Sequence, residues 1–266
     1  MSHPVHPENL PASPHAIFVD PSVAMHACLD GCGFPPRTAG DASSAFLISS
    51  REGVLDLRPP GEHDRPGIRA LFPPDRGAAE RGGDAKNPLV RAFGKRIDFI
   101  HDLTAGLGGD AYRLARAGYS VSAVEREPAV YALLASAWDD ARKSGAVAQE
   151  LSARLSFRCA DGEQEIESIE GLNRGVYIDP MYPPPRRASA KPRRELQVLR
   201  ALIPPQQDAR VLVERARERA ARVVVKRPPH AESLVAGPSH VIESKLVRFD
   251  VYVNPERLSP MSEVSA

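Results

Sequence analysis

Ile97 to Pro128, IDFIHDLTAGLGGDAYRLARAGYSVSAVEREP, reads as a strand, a glycine turn, a helix and a second strand closed by an acid. IDFIHDL is apolar and short, as a buried strand is. It breaks at Thr104-Ala105-Gly106-Leu107-Gly108-Gly109, where glycines allow positive φ and let a ligand approach the backbone. Asp110 caps or opens the helix carrying Leu114 and Ala115, and Gly118 stops it. SVSAVE then ends on Glu125, 17 residues beyond Gly108. An acid at the carboxyl end of the second parallel strand can accept hydrogen bonds from ribose hydroxyls. This is the pattern of a nucleoside-cofactor site.

Two cofactors fit it. Gly106-Leu-Gly108-Gly-Asp-Ala111 satisfies the dinucleotide pattern G-x-G-x-x-G/A, which admits an NAD(P)-dependent oxidoreductase. Asp102, four residues before Gly106, instead makes D-x-x-x-G-x-G, the arrangement of S-adenosylmethionine (AdoMet) methyltransferases. A carboxylate there suits the cationic amino group of methionine and repels a pyrophosphate.

A second motif separates the two. Gly175-Val-Tyr-Ile-Asp179 is another apolar strand ending in an acid, followed by Pro180-Met181-Tyr182-Pro183. Asp-Pro-Met-Tyr is similar to the (D/N/S)-P-P-(Y/F/W) element of methyltransferases that act on exocyclic amino groups. Such an amine is a poor nucleophile, because its lone pair is delocalised into the ring. A carboxylate (Asp179) and a backbone carbonyl (Pro180) accepting its two N–H bonds restore density on nitrogen and aim the lone pair. The prolines hold the turn extended, and Tyr182 offers a ring face to a flipped base. An NAD(P)-dependent oxidoreductase leaves this element unexplained, while a methyltransferase of another nucleic-acid amine and an AdoMet-binding RNA-interaction protein without catalysis stay open as alternatives.

TAGLG and DA between 104 and 111, VER at 124 to 126 with Pro128, and DPMYP at 179 to 183 resemble the ribosomal RNA small subunit methyltransferase J family. So do RRASAKPRREL, RVVVKRP at 222 to 228 and RFDVYV at 248 to 253. The resemblance implies a class I AdoMet methyltransferase: an α/β, doubly wound, mainly parallel seven-stranded sheet with a small N-terminal α/β unit. It implies methyl transfer from AdoMet to N2 of a guanine in 16S ribosomal RNA, with the RNA or the small ribosomal subunit as partner in the cytoplasm. Asp102, Gly106 and Gly108 then hold the methionine end, Glu125 the ribose and Asp161 the adenine amine. Gly109, Asp110, Arg126, Gly162 and Asp179 complete the cofactor set. Gly109 stands where the family usually has arginine.

Composition agrees. The 266 residues can bury a sizeable core, and 42% hydrophobic content with a net charge of +1 suits a globular protein. No apolar run is long enough to span a membrane, and the first residues lack the features of a signal peptide. Cys28, Cys32 and Cys159 have no metal-ligand spacing, so no metal is expected. The neutral total hides an uneven distribution. Arg186 to Arg200 holds six basic residues and one acid beside DPMYP, so Arg186, Arg187, Lys191, Arg193 and Arg194 are candidate RNA contacts. A second basic set (Arg76, Arg81, Lys86, Arg91, Lys95, Arg96) flanks the domain boundary. Lys226-Arg227-Pro228 sits on the ligand side of its strand, as a phosphate contact or a strand-end ion pair.

Along the chain, residues 1–20 read as poorly ordered and 21–96 as the small N-terminal unit and linker. That unit carries a helix over SVAMHACLDGCG and the strands AFLIS and VLDLR. Residues 97–256 form the methyltransferase domain and 257–266 a tail. LSFRCA, VYIDP and RVVVKRP supply the third to fifth strands, and SHVIES with FDVYV a closing hairpin.

Overall fold

The computed structural model describes residues 15–30, 32–35, 44–74, 86–182, 193–203 and 209–260. The expected sheet is present. It is built from β4 (Phe99–Asp102), β5 (Ser120–Glu125), β6 (Leu155–Cys159), β7 (Arg174–Ile178), β8 (Arg222–Arg227), β9 (His240–Glu243) and β10 (Arg248–Val253). Their order is β6-β5-β4-β7-β8-β10-β9. The first five run parallel, and β10 is antiparallel to both neighbours. A closing antiparallel hairpin on a doubly wound sheet is the class I methyltransferase arrangement.

Side chains alternate across the pleat, so each strand feeds two cores. Ile100, Val121, Ala123 and Val224 pack under α1 (Pro88–Phe93), α2 (Gly109–Arg116) and α3 (Pro128–Lys143). Val124, Val176, Ile178 and Val225 pack instead against α5 (Gly162–Glu167) and α7 (Ala209–Arg219); the short α4 (Gln149–Arg154) leads into β6. Burial on both faces explains why these strands read as continuous apolar runs.

The N-terminal part differs from expectation in two ways. Ile17–Val19 form a strand, β1, parallel to β2 (Phe46–Arg51), which is antiparallel to β3 (Val54–Arg58). The segment read as a helix over 22–33 holds two 3-10 turns, Pro21–Val23 and Ala27–Leu29. Asp20 and His26 cap these turns by accepting from Ser22 N and Cys28 N, so each turn closes on its own side chain. Met25, where a helix would need an apolar contact, is 95% exposed.

The small sheet shares its core with the main domain. Ile48, Leu55 and Leu57 pack on Ala129, Val130 and Leu133 of α3 and on Val198, Leu199 and Leu202 of α6 (Arg194–Leu202). The opposite side of α3 buries Leu134, Ala137 and Trp138 on the main sheet. Ser136, on this helix, accepts the Leu55 backbone N–H at 3.1 Å inside the joint core. Leu133 and Leu134 are fully buried, each contributing roughly 1.5–3 kcal/mol. That two-sided burial is why α3 is apolar nearly all round.

Candidate active site

Four acids meet at the carboxyl ends of adjacent strands: Asp102 ends β4, Glu125 ends β5, Asp179 follows β7, and Asp110 lies in the first turn of α2. With Lys226 and Arg227 from β8 they line one cavity of about 1200 Å³. That volume exceeds the usual range for one small ligand, as a site for a cofactor and a base together requires.

The glycine turn is fixed from several sides. Asp102 accepts from Thr104 N at 3.0 Å, and Ala105 N donates to Val124 O at 2.9 Å. Glu125 accepts from Gly106 N through Oε2 and from Glu127 N through Oε1, both at 2.8 Å. Gly106 has φ +53° with nothing within 4 Å of its Cβ position, leaving the backbone open to a ligand. Gly108, expected to hold the methionine end, points the other way and is outside the cavity lining. Its φ is +79°, and an added Cβ would lie 2.5 Å from Leu134. It makes the turn and lets it sit on α3. Gly108→Ala is therefore expected to lower stability by about 2–4 kcal/mol, from left-handed strain plus overpacking. Gly109→Ala, at a position open to 4 Å, should stay within about 0.5 kcal/mol of wild type. Denaturant midpoints at constant slope check both, and equal midpoints would remove this account of Gly108.

An ion-pair network crosses the cavity floor. Lys226 Nζ donates to Asp110 Oδ2 and to Asp179 Oδ2, both at 2.8 Å. Tyr177 OH donates to Asp110 at 2.7 Å, and Asp179 N donates to Thr104 Oγ1 at 2.7 Å, tying the glycine turn to the DPMY segment. Lys226 is thus the strand-end ion-pair donor of the two roles open for it. Burial pushes Asp179 up, with Lys226 opposing and Asp110 adding to the rise. Asp110 also suffers burial, but Lys226, Tyr177 and Arg113 outweigh it and hold its carboxyl below the usual range. Burial raises Lys226's cost of charge, yet the two carboxylates hold its pKa above normal. Asp102, 1% exposed, is pushed up to about 8, by burial first and then by Asp110, Asp179 and Glu125 against the Thr104 hydrogen bond.

Of the remaining expected residues, Gly109, Arg126, Gly162, Pro180 and Tyr182 line the cavity. Asp161 caps α5 by accepting from Glu163 N at 2.8 Å and is outside the lining. Tyr182 is engaged on two sides: its OH donates to Lys226 O at 2.5 Å, and the Arg227 guanidinium lies 4.6 Å from its ring centroid. Arg186, Arg187 and Lys191 fall outside the described residues. Arg193 is the N-cap residue of α6, and Arg194 pairs with Glu62 at 2.8 Å. Thr104 and Tyr177 escaped the sequence reading, because only the fold brings them to Asp179 and Asp110.

The donor set fits AdoMet. Acids gathered round the glycine turn, with Lys226 already engaged by two of them, suit a ligand carrying a sulfonium and an ammonium. Fold and site together define a class I AdoMet-dependent methyltransferase. A family model described as "Putative SAM-dependent methyltransferase" matches residues 38–254. The chain belongs to the ribosomal RNA small subunit methyltransferase J family. It is 34% identical over 230 residues to the Alteromonas mediterranea protein of that name, covering 83% of this chain and 88% of the relative. The Vibrio vulnificus protein of the same name is also 34% identical, over 248 residues, covering 87% and 95%. A crystal structure of a SAM-dependent methyltransferase from Neisseria gonorrhoeae superimposes with TM-score 0.62 at 25% identity, covering 89% of this chain and 95% of that one. Among the described residues there is no helix long and apolar enough to cross a membrane and no cluster of potential metal ligands.

Proposed function

We propose that this enzyme methylates the exocyclic N2 amine of a guanine in 16S ribosomal RNA, acting in the cytoplasm on the RNA or the small ribosomal subunit. The observation that carries the reading is the placement of Asp179-Pro180-Met181-Tyr182 on the same cavity as the glycine turn. The relatives' name supplies the ribosomal RNA, and guanine N2 follows from the family resemblance.

AdoMet supplies an electrophilic methyl on sulfur. Lys226 occupies Asp179 Oδ2, which leaves Oδ1 to accept one amine hydrogen while the Pro180 carbonyl accepts the other. The amine lone pair is thereby directed into the cofactor half of the cavity. Asp179 Oδ1 then takes the proton that the methylated amine sheds, a step eased by a carboxyl raised by burial. Glu125 has lone pairs left for the ribose hydroxyls, and Gly162 lines the cavity while letting α5 pack close on the end of β4, where the Leu103 carbonyl lies 2.9 Å from its Cβ position. Arg193 and Arg194 stand at the start of α6, whose Leu196, Leu199 and Arg200 line the cavity, and are RNA contacts on this reading.

Asp102 gives a proton signature. With a folded value near 8 against 3.8 for the free side chain, it keeps its proton at pH 7 in the ligand-free enzyme. The folded state then binds a proton that the unfolded chain has lost, so this group makes stability fall as pH rises from about 4 to about 8. Placing the methionine ammonium against it drives the proton off. Calorimetric enthalpies of AdoMet binding at pH 7 are expected to vary with the ionisation enthalpy of the buffer. The variation should vanish in Asp102→Asn, and a buffer-independent wild-type enthalpy would place the ammonium elsewhere.

The function itself is tested by methyl transfer to small-subunit RNA from cells lacking the gene, followed by nucleoside mass spectrometry. N2-methylguanosine that appears only with enzyme and AdoMet is the expected result. No transfer, or a different methylated nucleoside, overturns the proposal.

A further inference from the structure

Leu246 stands in the turn of the closing hairpin, on the rim of the cavity. Glu243 of β9 pairs with Arg248 of β10, and Ser244 to Val247 join them. Arg248 also pairs with Arg227 at the carboxyl end of β8. The turn therefore projects past the strand ends on the side where Lys226 meets Asp179. Its own serine closes it. Ser244 N donates to Val247 O at 2.9 Å, Ser244 Oγ donates to the same carbonyl at 2.6 Å, and Val247 N donates back to Oγ at 3.3 Å. Val247 packs on the main core, while Leu246 next to it is 77% exposed. A single exposed leucine is ordinary on a protein surface. Its place is what distinguishes this one. Met25, Leu71, Leu172, Val211 and Val241 are the other large exposed apolar side chains among the described residues, and none of them lines the cavity.

We propose that Leu246 is a positioning residue for the RNA, a wedge that enters the base stack where the target guanine leaves it and holds that base extruded. A guanine inside its stack cannot bring its amine to Asp179 within the cavity, so the base has to swing out. Extrusion uncovers the faces of the neighbouring bases and leaves a gap between them. An apolar side chain waiting at the mouth fills the gap and restores contact to those faces. Leucine suits the task, because it is branched, apolar and carries no polar group that would need a partner between bases. The serine-closed turn suits it too, since it keeps the side chain at the rim and the anchoring Val247 on the core. Lys245, exposed beside Leu246, adds a positive charge for the flanking phosphates.

The proposal rests on the guanine-N2 reading above, and its test separates the two. Small-subunit RNA is prepared intact, or with the base removed from the nucleotide next to the one the enzyme methylates. The abasic neighbour weakens the stack, so the target base leaves it with less help. On intact RNA, Leu246→Ala is expected to lower kcat/KM by about tenfold relative to wild type. Leu246→Met, which also fills a gap, should lose less than about threefold. On the abasic RNA the deficit of Leu246→Ala should shrink to within about twofold. AdoMet affinity by calorimetry should be the same in all three enzymes, because the substitution is at the rim. An alanine variant as fast as wild type on intact RNA overturns the wedge, as does a deficit of the same size on both RNAs. A wild type that no longer methylates the abasic RNA overturns it as well. Each of these results leaves the guanine reading intact, whereas wild-type reactions on intact RNA that yield no N2-methylguanosine overturn both.

Discussion

Asp179→Ala is expected to lower methyl transfer by at least about a hundredfold, the range for removing a positioned proton acceptor. Cofactor affinity should fall by less than about tenfold, since the glycine turn and Glu125 stay in place. The fold should survive, because Lys226 keeps its bond to Asp110 and the backbone N–H of residue 179 keeps Thr104. Asp179→Asn should be milder, as its amide oxygen still accepts one amine hydrogen. Single-turnover rates at saturating AdoMet make the measurement. Near-wild-type turnover by the alanine variant would reduce Asp179 to a strand terminus.

Lys226→Met has the larger effect on stability. It leaves Asp110 and Asp179 facing each other without the cation that binds both at 2.8 Å. Breaking a fully buried pair costs about 3–5 kcal/mol, and these groups are a fifth to a third exposed, so about 2–3 kcal/mol is expected here. The pH dependence carries the diagnosis. In the wild type Asp110's folded value is lowered, so its contribution is present above the unfolded value near 4 and is lost as pH falls. Without Lys226 burial raises both acids, the folded state holds the extra proton, and the variant's deficit should shrink toward pH 5. Lys226→Met/Asp110→Asn should recover part of the loss by removing one of the unpaired charges. A deficit constant between pH 5 and 8 would mean that Lys226 acts through packing alone.

Legibility in the sequence followed the range of the interactions. The segment from 97 to 128 specifies its own strand, turn and helix through local chemistry, and Asp179-Pro180 ends its strand in the same way. Those features also fixed the sheet, because alternating units allow few arrangements. The partners of the site did not show. Lys226 lies 116 residues from Asp110 and 47 from Asp179, so nothing near it in the chain reveals that it joins them. Gly108 matched a ligand motif by spacing, yet the side chains above it come from α3, Phe72 and β6. At the N-terminus Ile17–Val19 is three residues long, too short for periodicity, and becomes a strand by pairing with β2.

The order in which this chain leaves the ribosome gives the small N-terminal sheet an awkward early life. β1 to β3 are complete by Arg58, but the apolar surfaces that cover them belong to α3 and α6, the latter ending at Leu202. At about 5–20 residues per second, some 140 further residues take roughly 7–30 s to emerge. Until α3 and then α6 emerge, Ile48, Leu55 and Leu57 have only the short N-terminal segments around Ile17, Val23, Leu29 and Ile68 to pack on, so the nascent chain presents a sticky surface for chaperones to shield. Codon choice between 59 and 202, which sets the length of the wait, should govern the soluble yield of this protein more than codon choice after α6.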